Sequence, residues 1–161
     1  MEIGTNIGGN LFLFSQIAPS DAAIISVDLP GGMFGGGYPR WRIPLFKMFL
    51  RGKQKLFLVR ADSHDPQTKE RVNSILQGRE IDFLFIDGDH TYEGVKQDFE
   101  VFSPLVKKNG LIAFHDILPV QGQSGCGVNR LWAEISSDNE SLEFIGNIGQ
   151  GWAGIGLLRK A

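Results

Sequence analysis

Short, mostly apolar runs alternate with amphipathic stretches along this chain. Residues 23–27 (AIISV) are rich in β-branched side chains and run into Asp28. Residues 55–59 (KLFLV) lead to Ala61-Asp62-Ser63, residues 81–86 (IDFLFI) to Asp87, and residues 111–114 (LIAF) to His115-Asp116. Runs this short and this apolar predict strands buried on both faces. The segments between them read as helices. Pro66 is placed to open one that runs to about Gly78, since proline suits the first helical position. Thr91 can cap a second that runs to about Lys107, with Asn109-Gly110 as its stop and Val95, Phe99 and Phe102 at helical spacing. Alternating strand and helix predicts an α/β fold, a parallel sheet with helices on both faces. Residues 142–148 and 153–158 alternate in polarity around a Gly-Gln-Gly turn, which predicts an antiparallel hairpin at one sheet edge.

Composition narrows the class. The 161 residues suffice for one domain of the usual ~100–150 residues, so a single domain over 1–161 is expected. Apolar residues at 42% and charged residues at 21% describe a globular chain rather than a disordered one. Cys126 is the single cysteine, which excludes an internal disulfide and a cysteine-built zinc site. With no basic-then-apolar leader pattern either, the expected location is cytoplasmic. No apolar run approaches the ~18 residues that would span a bilayer. Sixteen basic against 18 acidic residues, net −2, make no broad electrostatic case for nucleic acid. Glycine is the outlier: 21 residues is nearly double the usual ~7%. Five fall within residues 31–37, without a repeat period.

The polar residues cluster where a parallel sheet binds ligands. Asp28, Asp62, Asp87 and Asp116 each follow a predicted strand, and ligands of open parallel sheets bind outside the carboxyl ends of strands. Asp also favours turns on its own account. The opening stretch, Glu2-Ile3-Gly4-Thr5-Asn6-Ile7-Gly8-Gly9, runs from a strand through glycines into an apolar helix. Such glycines let a ligand approach the backbone, and the helix start offers free N–H donors. Asp28 then suits a carboxylate accepting from ribose hydroxyls. The loop lacks the G-x-G-x-x-G spacing of a dinucleotide fingerprint.

These residues resemble the class I S-adenosylmethionine-dependent methyltransferases: the EIGTNIGG loop, Asp28 after the second strand, and Ala61-Asp62 after the third. More narrowly, IDGDHTYEGVKQDF (residues 86–99), LIAFHDI (residues 111–117) and GGMFGGGYPRWR (residues 31–42) resemble the bacterial cephalosporin-hydroxylase-like and macrolide-sugar O-methyltransferases. The resemblance implies a Rossmann-like, doubly wound sheet of about seven strands, ordered 3-2-1-4-5-7-6 with strand 7 antiparallel. It implies S-adenosylmethionine as cofactor, with the Gly4 loop under its methionine part, Asp28 on the ribose and Asp62 near the adenine. The implied cofactor-binding set is Glu2, Gly4, Thr5, Asn6, Gly8, Asp28, Leu29, Ala61, Asp62, Ser63 and Asp87. The chain departs from the pattern in one respect: its glycine loop begins at residue 2, where relatives usually carry helices before the first strand.

All three histidines sit beside aspartates: His64-Asp65, Asp89-His90 and His115-Asp116. The implied strand order separates His64 from the other two, which argues against a three-histidine zinc site. Asp87 and Asp116, with His115, can converge above adjacent strands. Paired carboxylates suit Mg²⁺, and an added imidazole tilts preference toward Mn²⁺ or Fe²⁺. Metal-dependent relatives place acids at these positions, though His115 stands where they have the first acid of a pair. His90 matches the general-base position of the sugar O-methyltransferases and, with Asp87, is the candidate catalytic residue. The glycine-rich segment 31–42 reads as a mobile flap, with Tyr38, Arg40, Trp41 and Arg42 available to a pocket. Lys96, Lys107 and Lys108 read as a solvated helix face. Trp132 and Trp152 are expected to pack on the sheet.

The expected activity is O-methylation of a small-molecule hydroxyl, of a sugar or phenol, with assistance from a divalent metal such as Mg²⁺. One alternative is a catalytically incomplete S-adenosylmethionine-binding domain or fragment. Another is a nucleotide-binding oxidoreductase, disfavoured by the missing fingerprint. The expected partner is a small-molecule acceptor, with no nucleic acid and no membrane, and the sequence leaves a homo-oligomer open.

Overall fold

The computed structural model describes residues 1–32, 36–119, 125–147, 149, 151 and 153–161. Part of the glycine-rich segment (residues 33–35), the Ile148 end and Gln150 turn of the expected hairpin, and Trp152 lie outside the described residues. Among those described, seven strands follow the order β3-β2-β1-β4-β5-β7-β6. The chain divides into two compact units, Met1–Gln77 and Gly78–Ala161.

The first unit holds β1 (Glu2–Ile3), α1 (Gly9–Ile17), β2 (Ala23–Asp28), α2 (Ile43–Lys47), β3 (Lys55–Arg60) and α3 (Pro66–Leu76), with a 3-10 turn at Arg40–Arg42. β2 runs parallel to both β1 and β3, pairing Val27 with Ile3 and with Val59. α3 begins where the sequence predicts: Pro66 sits in its first turn and the Asp65 carboxylate accepts from the Gln67 N–H at 2.9 Å. It ends at Gln77, which takes the left-handed conformation that closes a helix. Leu11, Ile24, Tyr38 and Phe46 form a buried cluster, against which Leu56 and Leu58 pack.

The second unit holds β4 (Ile81–Ile86), α4 (Tyr92–Phe102), β5 (Val106–His115), α5 (Val128–Ser136), β6 (Ser141–Phe144) and β7 (Ile155–Arg159). β4 and β5 are parallel, while β7 runs antiparallel to β5, as the resemblance implies, and to β6, which is the expected hairpin with its first strand ending at Phe144. The Phe114 ring on β5 lies 5.6 Å from Phe99 on α4 and 5.9 Å from Trp132 on α5, so aromatic contacts pin both helices. β7 passes under Trp132 at Gly156, where a Cβ would lie 2.6 Å from the indole. Tyr92 and Glu134 join the outer faces of α4 and α5 by a 2.7 Å hydrogen bond.

One sequence expectation fails here. The helix opened by Thr91 ends at Phe102, not near Lys107, and a 3-10 turn over Ser103–Leu105 leads straight into β5. Pro104 has no N–H to continue the helix ladder. Val106 instead pairs with Ile81, and the register then shifts before Leu111 meets Phe83. Asn109, with φ of 61°, lies inside this irregularity, so Asn109-Gly110 forms part of a bulge within a strand rather than a helix stop. Lys107 and Lys108 therefore belong to β5, whereas Lys96 stays on α4 and faces Glu100 at 3.9 Å.

Candidate functional site

In the first unit, the glycine loop closes over the ends of β1 and β2. The Gly4 N–H donates to the Val27 carbonyl at 2.8 Å, and the Gly8 N–H turns back to the Thr5 carbonyl at 2.8 Å. Gly4, Asn6 and Gly8 all have positive φ, at 89°, 46° and 88°. Gly8 has a second reason to lack a side chain: a Cβ there would lie 2.5 Å from the Phe46 ring. Below the turn, the hydroxyls of buried Thr5 and Ser26 hydrogen-bond each other, fixing the loop to β2. Glu2 is buried on β1. Gly8 caps α1 without a side-chain acceptor, and the first turn carries no acid, so its N–H groups keep their affinity for an anion or a polar ligand.

Asp28, the last residue of β2, is the polar centre of this edge. Its Oδ2 accepts from the Asn6 N–H at 3.2 Å and its Oδ1 from the Gly37 N–H at 3.3 Å. Burial raises its pKa, against the lowering effect of the Gly37, Thr5 and Asn6 amides and of the Arg60 charge. A carboxylate offers about four lone-pair positions, so two amides leave acceptor capacity for a diol. Ala61 is tied to the same strand end by its N–H to the Asp28 carbonyl at 3.1 Å. Asp62 follows in an exposed turn, its Oδ1 accepting from the His64 N–H at 2.9 Å and lying 3.8 Å from His64 Nδ1. Ser63 sits in that turn, half-buried, and Leu29 is exposed directly after Asp28.

The segment expected to be a free flap is tied down where it is described. Tyr38 is 3% exposed, its ring packed edge-on to Phe46 at 4.9 Å. The Arg60 guanidinium stands over that ring at 4.9 Å and donates to the Tyr38 carbonyl. Burial pushes the Tyr38 phenol up to about 12, so it stays neutral. Arg42 reaches the Ile7 carbonyl at 3.3 Å. Five glycines made this stretch look unable to pack, yet its one tyrosine supplies the apolar area that anchors it.

In the second unit, four predicted residues meet at the ends of β4 and β5. Nε2 of His90 lies 3.3 Å from Asp87 Oδ1, and its Nδ1 3.2 Å from Asp116 Oδ2. Nδ1 of His115 lies 3.1 Å from Asp116 Oδ1 and 3.3 Å from Asp87 Oδ1, without hydrogen-bond alignment to either. Burial would raise the Asp87 pKa, but the facing imidazoles of His115 and His90 outweigh it and hold the carboxyl below its ordinary value. The same pairing raises His90, chiefly through Asp87, and raises His115 to about 10, chiefly through Asp116. The backbone around His90 is fixed from two sides. Gly127 donates to the His90 carbonyl at 2.8 Å, and Asp89 accepts from the Thr91 N–H at 2.8 Å. Gly94 leaves room for the Asp89 carboxyl, which a Cβ would meet at 2.2 Å. Thr91 caps α4 as predicted, accepting from the Gly94 N–H at 3.0 Å.

Ligand atoms of Asp87, His90 and Asp116 lie within 4.8 Å of one another, a group able to hold a metal ion. Among the described residues, the sequence-predicted ligand His115 stands beside this group, while His90, predicted as a base, completes it. Position within a strand-end motif identified both histidines, but the rotamer that turns His90 between two carboxylates has no local signature. Sequence reasoning also missed the Gly37 amide on Asp28, because the contact depends on where the segment after β2 folds back.

Residues 1–117 match the family described as a methyltransferase domain. An uncharacterized protein of Acanthamoeba polyphaga mimivirus is 40% identical over 143 residues, covering 88% of this chain and 62% of that protein. The chain spans 16% and 62% of the lengths of the two curated relatives it matches. Among solved structures, the O-methyltransferase TomG from Streptomyces achromogenes, involved in tomaymycin synthesis and bound to SAM, gives a TM-score of 0.63 at 14% identity, covering 99% of this chain and 72% of that one. The MycE methyltransferase of mycinamycin biosynthesis, with Mg and SAH, gives 0.52 at 15% identity over 92% of this chain and 47% of that one. At such identities the likeness is one of fold.

Proposed function

Since the chain belongs to the methyltransferase-domain family, we propose that it transfers a methyl group from S-adenosylmethionine to a hydroxyl of a small molecule such as a sugar or phenol. The observation that carries the donor half is the loop from Gly4 to Gly8, whose left-handed turns bring the Asn6 N–H onto Asp28 at the tip of β2. Asp28 takes the ribose hydroxyls, Asp62 stands on the adenine side, and the loop with the uncapped start of α1 takes the methionyl part.

The acceptor half rests on the cluster of Asp87, His90, His115 and Asp116. Deprotonating the hydroxyl makes it a nucleophile, and His90 takes that proton. Two carboxylates beside its ring stabilise the imidazolium that proton uptake forms. The rest of the rate comes from holding methyl and oxygen in line, an entropy already lost on binding.

The donor set also fits a divalent cation: two carboxylates with an adjacent imidazole suit Mg²⁺ or Mn²⁺. Asp87 and Asp116 would hold it with His115. Bound there, a cation lowers the pKa of an acceptor hydroxyl. A second reading makes His90 the third ligand, favoured by the 4.8 Å closure of Asp87, His90 and Asp116. MycE, a structural neighbour, was solved with Mg, which supports a cation in either form.

Calorimetric titration of the chain with S-adenosylmethionine and, separately, with NAD tests the donor reading. Binding of the first alone supports it. Binding of NAD alone turns the assignment to an oxidoreductase. Binding of the donor without transfer to any hydroxyl in a panel of sugars and phenols leaves a donor-binding domain.

A further inference from the structure

We propose that Arg42 is the residue that recognises the donor's α-carboxylate, and so makes the site selective for an amino-acid-bearing donor. The assignment rests on the donor reading of the glycine loop given above.

Arg42 closes the 3-10 turn over Arg40–Arg42, its N–H donating to the Pro39 carbonyl at 3.0 Å. Its Nη1 donates to the Ile7 carbonyl at 3.3 Å, inside the turn that joins β1 to α1. Among the described residues it is the one cationic side chain hydrogen-bonded to that loop. No carboxylate among them pairs with it, and its Nε is buried without an acceptor. The guanidinium lies 5.3 Å from the Trp41 ring, which covers part of it and lowers its hydration. The guanidinium is thus a cationic group with no paired carboxylate among the described residues, in the turn before a helix start that carries no acid and no side-chain cap.

The side chain is also held in place. The strap that carries it is fixed upstream by Arg60 on the Tyr38 carbonyl and by the Gly37 N–H on Asp28. Tyr38 packs on Phe46, and Phe46 fills the space that Gly8 leaves open. One aromatic side chain therefore sets the spacing between the strap and the loop. S-adenosylmethionine carries a diol at its nucleoside end and an α-carboxylate at the other. With the diol on Asp28, the carboxylate is assigned to Arg42, in the turn that leads into α1. A guanidinium fork matches a carboxylate in shape as well as charge, and its Nε is the donor without an acceptor.

The test compares two ligands that differ in this one group, S-adenosylmethionine and its decarboxylated analogue, titrated by calorimetry into the 161-residue chain and its variants. The wild type should prefer the intact donor by about tenfold or more, the size of one charge-assisted hydrogen bond. Arg42→Gln should abolish that preference by weakening the intact donor alone, and Arg42→Lys should restore part of it. Asp28→Asn should weaken both ligands alike, because both carry the ribose. Equal loss of both ligands in Arg42→Gln, or no loss of either, overturns the carboxylate assignment while leaving the donor reading in place. Failure of the wild type to bind either ligand overturns the donor reading and this assignment with it.

Discussion

The Gly37 N–H reaches Oδ1 of Asp28 at 3.3 Å, so the segment that leaves β2 folds back over the carboxylate at its tip. Two consequences meet at this contact. The amide helps retain a charge that burial disfavours, and it orients the group proposed to hold the donor's ribose.

Asp28→Asn should therefore separate stability from binding. Burial raises the Asp28 pKa above 3.8, so the folded state holds its proton more tightly than the unfolded one. Wild-type stability then falls as pH rises from the unfolded value through the raised folded value, and the loss is complete above it. The asparagine variant lacks that titration. Its thermal midpoint relative to wild type should be higher at pH 7 than at pH 3. Its affinity for S-adenosylmethionine should drop about tenfold or more, since a charged acceptor contributes roughly 1.5–3 kcal/mol per hydrogen bond. A midpoint difference that does not change with pH would remove the burial argument.

Gly8→Ala tests the fit between loop and strap. The new methyl group would lie 2.5 Å from the Phe46 ring on a backbone with φ of 88°. Overpacking costs about 1–3 kcal/mol, and the left-handed conformation adds ~1–2 kcal/mol. Chemical denaturation should show a loss of at least about 2 kcal/mol by these figures. Phe46→Leu in the same chain should return part of the loss. Additive effects of the two changes would argue that Gly8 and Phe46 do not constrain each other.

His90→Ala distinguishes a base from a ligand. If the imidazole takes the acceptor's proton, kcat should fall by about 10²–10⁴-fold while Mn²⁺ affinity holds. If it is the third ligand, Mn²⁺ affinity measured by electron paramagnetic resonance should fall with it. Donor affinity should stay near wild type in both cases, because His90 is assigned to the acceptor and not to the donor. Turnover above about a third of wild type would exclude the base role, given the size that role confers.

A chelator should remove activity without removing the donor. Asp116→Asn should do the same at saturating Mg²⁺, since it halves the carboxylate pair facing His90 and His115. Full turnover in excess chelator would leave only the metal-free form of the mechanism.

Gly156→Ala should destabilise the second unit. A Cβ would lie 2.6 Å from Trp132, whose ring is held by Phe114 at 5.9 Å and by its Nε1 donating to Glu143 at 2.6 Å. With no direction for the indole to yield, the expected loss is about 1–3 kcal/mol. An unchanged denaturation midpoint and unchanged tryptophan fluorescence would contradict the packing described.

Much of this is legible in the amino-acid sequence alone. The four short apolar runs became β2, β3, β4 and the end of β5; burial on both faces leaves that pattern in β2, β4 and the end of β5, whereas β3, at the sheet edge, buries only Val59 fully. Pro66 opened one helix and Thr91 capped the next because such signals act over two or three residues. The glycine loop was readable because Gly4 and Gly8 adopt backbone angles that few other residues accept. Such features depend on near neighbours in the chain, and the order of residues states them directly. The expectations that failed or fell short depended on distant partners. Asn109-Gly110 looked like a helix stop until Val106 paired with Ile81 and made it a bulge. The glycine-rich segment looked free until Tyr38 found Phe46. His90 could be placed after β4, but not turned between Asp87 and Asp116, because rotamer and pairing are chosen by the packing of both strand ends together. Local preferences are additive along the chain and survive in sequence. Side-chain convergence is a property of the packed state, where a contact between residues far apart is settled by everything else that must fit around it.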